Sequence, residues 1–538
     1  MKEAVFVTMA AFPPEIISLI LQLMGEDFGR ERQNFRLVCR SWDYLISHTS
    51  LLWKYIFIDK HSINGPADSK DAFSGTCMAL ERSGNTHPIY ITITLPDEGD
   101  NDIHSSRFTV EHATLLSSVI SSHSGRIASL CVQGSSHAHH LAALRNTFQL
   151  PMPLLRSATF IRDDGLLPPG SDEFYSYDLS DDPNPYPSIL QCPHSQNATV
   201  VDAWGQEHYP ALEKLQIVGV PFDYSRFPAL NLTELRLEGR EWEELEDGDD
   251  NDKKIVRLIR LARKTLEDIK IVDFPLEDAE GYADADLIYL PKLRSLSVGY
   301  RNASDVVDFL QCLIFSGRNM TELSLTNTNV LASLDANVAP SELEEIMAEA
   351  KIDDQLMIEE LIASGFIVHI EKLTLNCVVF HGNPIKIAPS TILREDVNRR
   401  VDEPLALAFI QMLPSLKHLN VRDPTGTFLY FMNYTAAYQS SAPYVRLSLH
   451  TLETCRAYMS DRSLATAFLA YRQSLQPVPE LELEGLDGTL PASKDWPQFK
   501  RMARSDRQEE VWDMTDEWSD VAAKLPLTFE EEDEDNLV

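Results

Sequence analysis

One six-residue spelling recurs through most of the 538-residue chain and constrains its fold more than any other feature: apolar, two variable residues, apolar, one variable, apolar. It reads Ile127-x-x-Leu130-x-Val132, Leu155-x-x-Ala158-x-Phe160, Leu212-x-x-Leu215-x-Ile217, Leu232-x-x-Leu235-x-Leu237 and Leu266-x-x-Ile269-x-Ile271. It continues as Leu293-x-x-Leu296-x-Val298, Met320-x-x-Leu323-x-Leu325, Ile370-x-x-Leu373-x-Leu375, Leu416-x-x-Leu419-x-Val421 and, weakly, Leu452-x-x-Cys455-x-Ala457. The alternating second half predicts a short strand with one buried face. Pro88 to Leu95, alternating and rich in β-branched residues, predicts another. Helical patterns lie between most copies: Ile255-Leu258-Ile259-Ala262, Val306-Phe309-Leu310-Leu313-Ile314 after Ser304-Asp305, and Leu405-Ala408-Phe409-Met412. A strand of about five residues and one helix cannot enclose their own apolar faces, so the units must stack, strands on one side and helices on the other. A curved α/β solenoid is the expected fold; a flat parallel α/β sheet also fits the alternation.

The copies start 28, 57, 20, 34, 27, 27, 50, 46 and 36 residues apart, and the intervals near 27 match the leucine-rich-repeat period of about 20 to 29. Proline often precedes a copy, as Pro210, Pro228, Pro291 and Pro414. The long intervals hold insertions: acidic segments at 163–208 and 238–252, and a segment at 341–364 expected to be an extra helix pair on the rim, with Leu343, Ile346, Met347 and Ala350 at helical spacing. As loops on a rigid scaffold, such insertions are candidate partner contacts, with unstructured filler the alternative.

Ahead of the repeats, Phe12 to Ile58 is denser in apolar residues than the chain as a whole, 51 % against 44 %. Pro13 and Pro14 predict a helix start at about Pro14, and Glu15 suits its positive end. Ile16, Ile17, Leu19, Ile20, Leu21, Leu23 and Met24 then cover about 200° of the helix, against the roughly 100° of a surface helix. A segment of about 40 to 60 residues is near the lower size limit for independent folding, so the excess is expected to face another chain. Phe12-Pro13-Pro14-Glu15, Phe35-Arg36-Leu37-Val38-Cys39-Arg40-Ser41-Trp42 and Leu52-Trp53 follow in order the pattern of the F-box, which this stretch resembles. Residues 25–33 depart from it, being longer and more polar than the usual Leu-rich turn. With the repeats, the chain resembles the fungal-type F-box and leucine-rich-repeat family over most of residues 12–490.

The resemblance implies an F-box at 12–58, a linker at 59–87, a solenoid at 88–490 and an acidic tail at 491–538. It implies docking on a Skp-family adaptor, and through it a cullin, by Phe12, Pro13, Ile16, Ile20, Leu23, Leu37, Val38 and Trp42, with an unidentified target protein held by the solenoid. Such a chain is a non-catalytic receptor of a ubiquitin ligase, without a cofactor, in cytoplasm or nucleus. A leucine-rich scaffold whose hairpin only caps the array, with no ligase link, is the alternative; a small-molecule sensor or enzyme would need a polar pocket that the sequence does not reveal.

Net charge is −35, and 163–182, 238–252 and 506–538 carry 26 of that excess. Such segments read as solvated loop or tail, and the surface suits neither nucleic acid nor anionic membrane, which bind through Lys and Arg. Seven scattered cysteines predict neither a disulfide framework nor a zinc ribbon. No apolar run reaches the roughly 20 residues of a membrane span, and Pro13 to Glu15 cut short the faint signal-peptide likeness of Ala4 to Ala11. Phosphate-binding, dinucleotide, nucleophile-elbow and zinc-protease motifs are missing, and His137, His139 and His140 read as exposed polar residues before a helix. In the tail, Val511, Met514, Trp518, Val521 and Leu525 predict an amphipathic helix that caps the array or docks a partner.

Overall fold

All ten copies of the repeated spelling become parallel strands in the computed structural model. The structure describes residues 13–69, 71–95, 108–135, 150–162, 209–219, 231–239, 251–273, 287–315, 319–335, 338–380, 405–422, 454–458 and 480–484, with 140, 143 and 428. Two units are distinguished, Met1–Pro275 with Leu290–Lys292, and Leu276–Tyr289 with Leu293–Val538. In the first, α1 (Pro14–Leu23), α2 (Glu26–Arg36) and α3 (Arg40–His48) lead into β1 (Tyr55–Ile58) and α4 (Ser74–Arg82). There follow β2 (Ile89–Thr94), α5 (Val110–Ser121), β3 (Ile127–Gly134), β4 (Ser157–Arg162), β5 (Lys214–Val218), β6 (Glu234–Glu238), α6 (Asn251–Ala262) and β7 (Asp268–Val272). The seven strands lie side by side in chain order, every pairing parallel.

The second unit repeats the plan with β9 (Ser295–Tyr300), β11 (Glu322–Asn327), β12 (Lys372–Asn376), β13 (His418–Arg422), β14 (Thr454–Tyr458) and β15 (Glu480–Glu484), again parallel and in chain order. A separate two-stranded ladder joins β8 (Ile288–Leu290) to β10 (Leu313–Phe315). Its helices are α7 (Ala303–Gln311), α8 (Thr328–Asp335), α9 (Pro340–Ser364) and α10 (Leu405–Gln411).

The register explains why the spelling works. Leu130, Ala158, Leu215, Leu235 and Ile269 stand opposite one another across successive strands, as do Val132, Phe160, Ile217, Leu237 and Ile271, and all ten are buried. In the second unit Leu296, Leu323, Leu373 and Leu419 form one such row and Val298, Leu325, Leu375 and Val421 the other. In several copies the residue after the opening apolar position has the same task. The Glu213 carbonyl accepts from the amides of Thr233 and Glu234 at 2.8 and 3.1 Å, and that of Thr233 accepts from Glu267 and Asp268 at 2.9 and 3.0 Å. The same double acceptance recurs at Arg156, Arg294, Thr321 and Glu371, so the amides that open these following strands are satisfied alike although the spacing differs.

The other strand face is polar and half exposed, for example Glu322, Ser324 and Thr326 on β11 and Glu234, Arg236 and Glu238 on β6. In register across it, Lys372 meets Glu322 at 2.9 Å, an exposed pair worth about 1 kcal/mol or less. Doubly wound sheets reverse strand order and bury both faces; neither holds within either unit among the described residues.

Several expectations are corrected. The sheet begins at residue 55, not 88, and the stretch expected as a linker, 59–87, carries α4. Residues 341–364 lie in one continuous helix rather than a pair, because no Gly or Pro interrupts them and apolar residues lie on both faces. Leu313 and Ile314 leave the predicted helix for β10. Most of the acidic segments, 163–208 and 240–250, and the tail after 484 lie outside the described residues.

Helix α9 is fastened by one buried carboxylate. Asp354, fully buried, accepts from the Tyr300 hydroxyl at 2.7 Å, the Val379 amide at 2.7 Å and Asn327 Nδ2 at 3.4 Å, drawing donors from β9, β11 and the segment after β12. Burial raises its pKa to about 6 in spite of these bonds. In folded protein the proton is therefore held up to about pH 6, whereas the unfolded carboxyl releases it near pH 4. The stability this group contributes is present below pH 4 and lost as pH rises to about 6. Asp354→Asn keeps an acceptor for Val379 and has no charge to bury. Its stability relative to wild type is expected to rise by about 3 kcal/mol between pH 4 and 7, measured by denaturant unfolding; a pH-independent difference would contradict this.

Candidate functional site

The N-terminal helices form a small module around Ile17, Leu21, Phe28, Trp42, Ile46, Leu52 and Trp53, all buried. Proline at the first turn and Glu15 behind it start α1, and Gly25 at φ 58°, a left-handed conformation, turns the chain sharply into α2. Phe35 bridges the helices, its ring 5.5 Å from Phe28 and 5.8 Å from Trp42. Arg36 donates to Asp43 at 2.7 Å and so holds that carboxyl below the usual carboxylate range.

The module is joined to the sheet through α2 and Trp53. Gly29 lies so close to β1 that a Cβ there would stand 2.6 Å from the Phe57 ring and 2.8 Å from Tyr55 Cβ. Arg32, itself buried, donates to the Tyr55 carbonyl and lies 4.3 Å from the Trp53 ring centre, with Arg82 of α4 over the same indole at 4.8 Å. Burial, and then Arg36, lowers the Arg32 pKa to about 10. The polar stretch that departs from the F-box pattern is therefore the helix by which the module grips β1.

Against this core, an apolar surface stays uncovered by the described residues. On α1, Ile16, Leu19 and Leu23 are 42 %, 53 % and 79 % exposed, and in the α2–α3 turn Leu37 and Val38 are 83 % and 61 % exposed. Of the residues expected to meet an adaptor, Pro13, Ile16, Leu23, Leu37 and Val38 are exposed and Ile20 is half-buried. Trp42 is not on this surface: it is only 5 % exposed, stacked inside the module, and positions the turn instead. Phe12 lies outside the described residues. Sequence reasoning left out Leu19 and Tyr44, both exposed, although Leu19 sits three residues after Ile16 and four before Leu23 on one helix face.

Nothing among the described residues groups three or more potential metal ligands, and His140 is buried with Nε2 3.0 Å from the Ile161 carbonyl rather than exposed. His137 and His139 lie outside the described residues. No described helix is long and apolar enough to cross a membrane. Neither protein-family models nor curated proteins give a match to the chain.

The close approach at Gly29 predicts that Gly29→Leu lowers stability by on the order of 1 to 3 kcal/mol through overpacking, and raises amide exchange in Tyr55–Ile58 more than in Lys214–Val218. Uniform loss of protection in both strands would contradict a local docking role.

Proposed function

We propose that the N-terminal module is an F-box that docks a Skp-family adaptor, and that the leucine-rich-type strand arrays hold a target protein, making the chain the substrate receptor of a cullin-based ubiquitin ligase. The reading rests on one observation above the rest, the apolar stripe of Ile16, Leu19 and Leu23 on α1 together with Leu37 and Val38, left exposed by a module whose own core is full. Scattered exposed apolar residues are ordinary, but an uncovered stripe along one helix face is the usual mark of a protein contact. In this reading the chain carries out no chemistry: the cullin joins through the adaptor, and raising the local concentration of a bound target at the ligase accelerates transfer to its lysines. The solvated strand face, presented on a rigid ladder, is the surface offered to the target.

A second reading has specific support. Because β1 pairs with β2 in register and α2 lies against Tyr55 and Phe57, the module also closes the end of the array, as a cap would. Deleting residues 1–60 removes β1 under either reading and does not separate them. Substitutions confined to the exposed stripe do. Leu23→Asp and Leu37→Asp are each expected to weaken capture by a purified Skp-family protein by about tenfold or more while leaving the melting transition within about 0.5 kcal/mol of wild type. Equal adaptor recovery by wild type and both variants would favour the cap and a non-ligase scaffold.

A further inference from the structure

Helix α9 turns a second apolar stripe outward. It is an insertion between two repeats, 25 residues long where the flanking α7 and α8 have 9 and 8. Its inner side is committed: Ala350, Asp354, Met357, Ile358 and Leu361 are buried, and Ile346 and Met347 pack against Val330, Cys377 and Val379. The outer side carries Ile352 and Leu356, one turn apart and 67 % and 53 % exposed. The small Ala348 and Ala363 continue the same face, the exposed Glu345 and Glu359 lie on it to either end of the apolar pair, and the exposed Glu349 stands beside it. Lys351 is the sole basic residue of the helix, against eight acidic ones. Among the described residues nothing covers this stripe, and neither Glu345 nor Glu349 has an ion-pair partner.

We propose that the outer face of α9 docks a basic amphipathic helix of another protein, its apolar side seated on Ile352 and Leu356 and its lysines or arginines meeting Glu345, Glu349 and Glu359. Charge selects this occupant. A second copy of the same helix would set glutamate against glutamate, and an acidic partner would be repelled, whereas a cationic helix satisfies the rim as it covers the centre. The platform is rigid, because Asp354 ties the helix to three segments of its unit directly beneath the stripe. This inference does not depend on the ligase reading, since it concerns the second unit alone.

Fluorescence anisotropy of the full chain with a labelled synthetic Leu/Lys amphipathic helix, and with its Leu/Glu counterpart, tests it. Saturable binding of the Leu/Lys helix alone is expected, weakened by about tenfold or more in Ile352→Asp/Leu356→Asp and also, with the apolar pair intact, in Glu349→Lys/Glu359→Lys. Both variants alter exposed positions, and an unchanged circular-dichroism melting curve verifies that they fold. Absence of binding would overturn the proposal. So would binding undiminished in the variants, which would place the cationic helix on another acidic segment, or equal binding of the Leu/Glu helix.

Discussion

The indole of Trp53 is where the N-terminal module and the parallel sheet become one structure. It is 1 % exposed, donates through Nε1 to the Ile46 carbonyl at 2.6 Å, and has the guanidinium groups of both Arg32 and Arg82 against its ring. Cation–π contacts are worth about 2 kcal/mol or more when desolvated, as at the buried Arg32, and less where the cation is half-buried, as at Arg82. They tie α2, the end of α3, α4 and β1 to a single ring. A module of fewer than 50 residues is short of core for independent folding. Here it borrows the first strand of the sheet, which frees the outer side of α1 and the α2–α3 turn from structural duty and leaves them uncovered.

Beyond that junction, stability is built one strand at a time. Most described repeats contribute two apolar side chains to the buried rows, and several contribute one backbone carbonyl that accepts two amides from the next repeat. Because these contacts are between neighbours, the chain between them is free to lengthen. The 50 residues separating Met320 from Ile370 accommodate the whole of α9 without disturbing the register of β11 with β12. Insertions are thus where such an array acquires features of its own, and α9 acquires both a buried carboxylate and an outward apolar stripe.

The strands were legible because the repeated spelling encodes period-two burial directly. Two were hidden. Trp53-x-x-Ile56-x-Ile58 has the same spelling, but its tryptophan also closes the F-box-like pattern, so β1 reads as part of the module; in Val478-x-x-Leu481-x-Leu483, which becomes β15, the proline and glutamates obscure the spelling. The exposed stripe on α1 was visible as an apolar arc too wide for one core, yet which residues turn outward was not. Trp42 looks as suited to a contact as Leu37, and only the stacking of Phe35 on its ring sends it inward. The role of Gly29 was equally unreadable, since a glycine in a polar helix ordinarily signals weakness rather than a backbone pressed against a strand. Asp354 does not stand out among the eight acidic residues of one helix, because its burial depends on donors up to 54 residues distant.

The proposed docking requires that the apolar surface exposed in the lone chain become covered when a Skp-family adaptor is present. Hydrogen exchange of the full chain with and without a stoichiometric Skp-family protein measures that directly. Added protection confined to α1 and the α2–α3 turn, with β2 and β3 unchanged, is the predicted result. No change at those segments, or protection centred on the polar strand face instead, would contradict it.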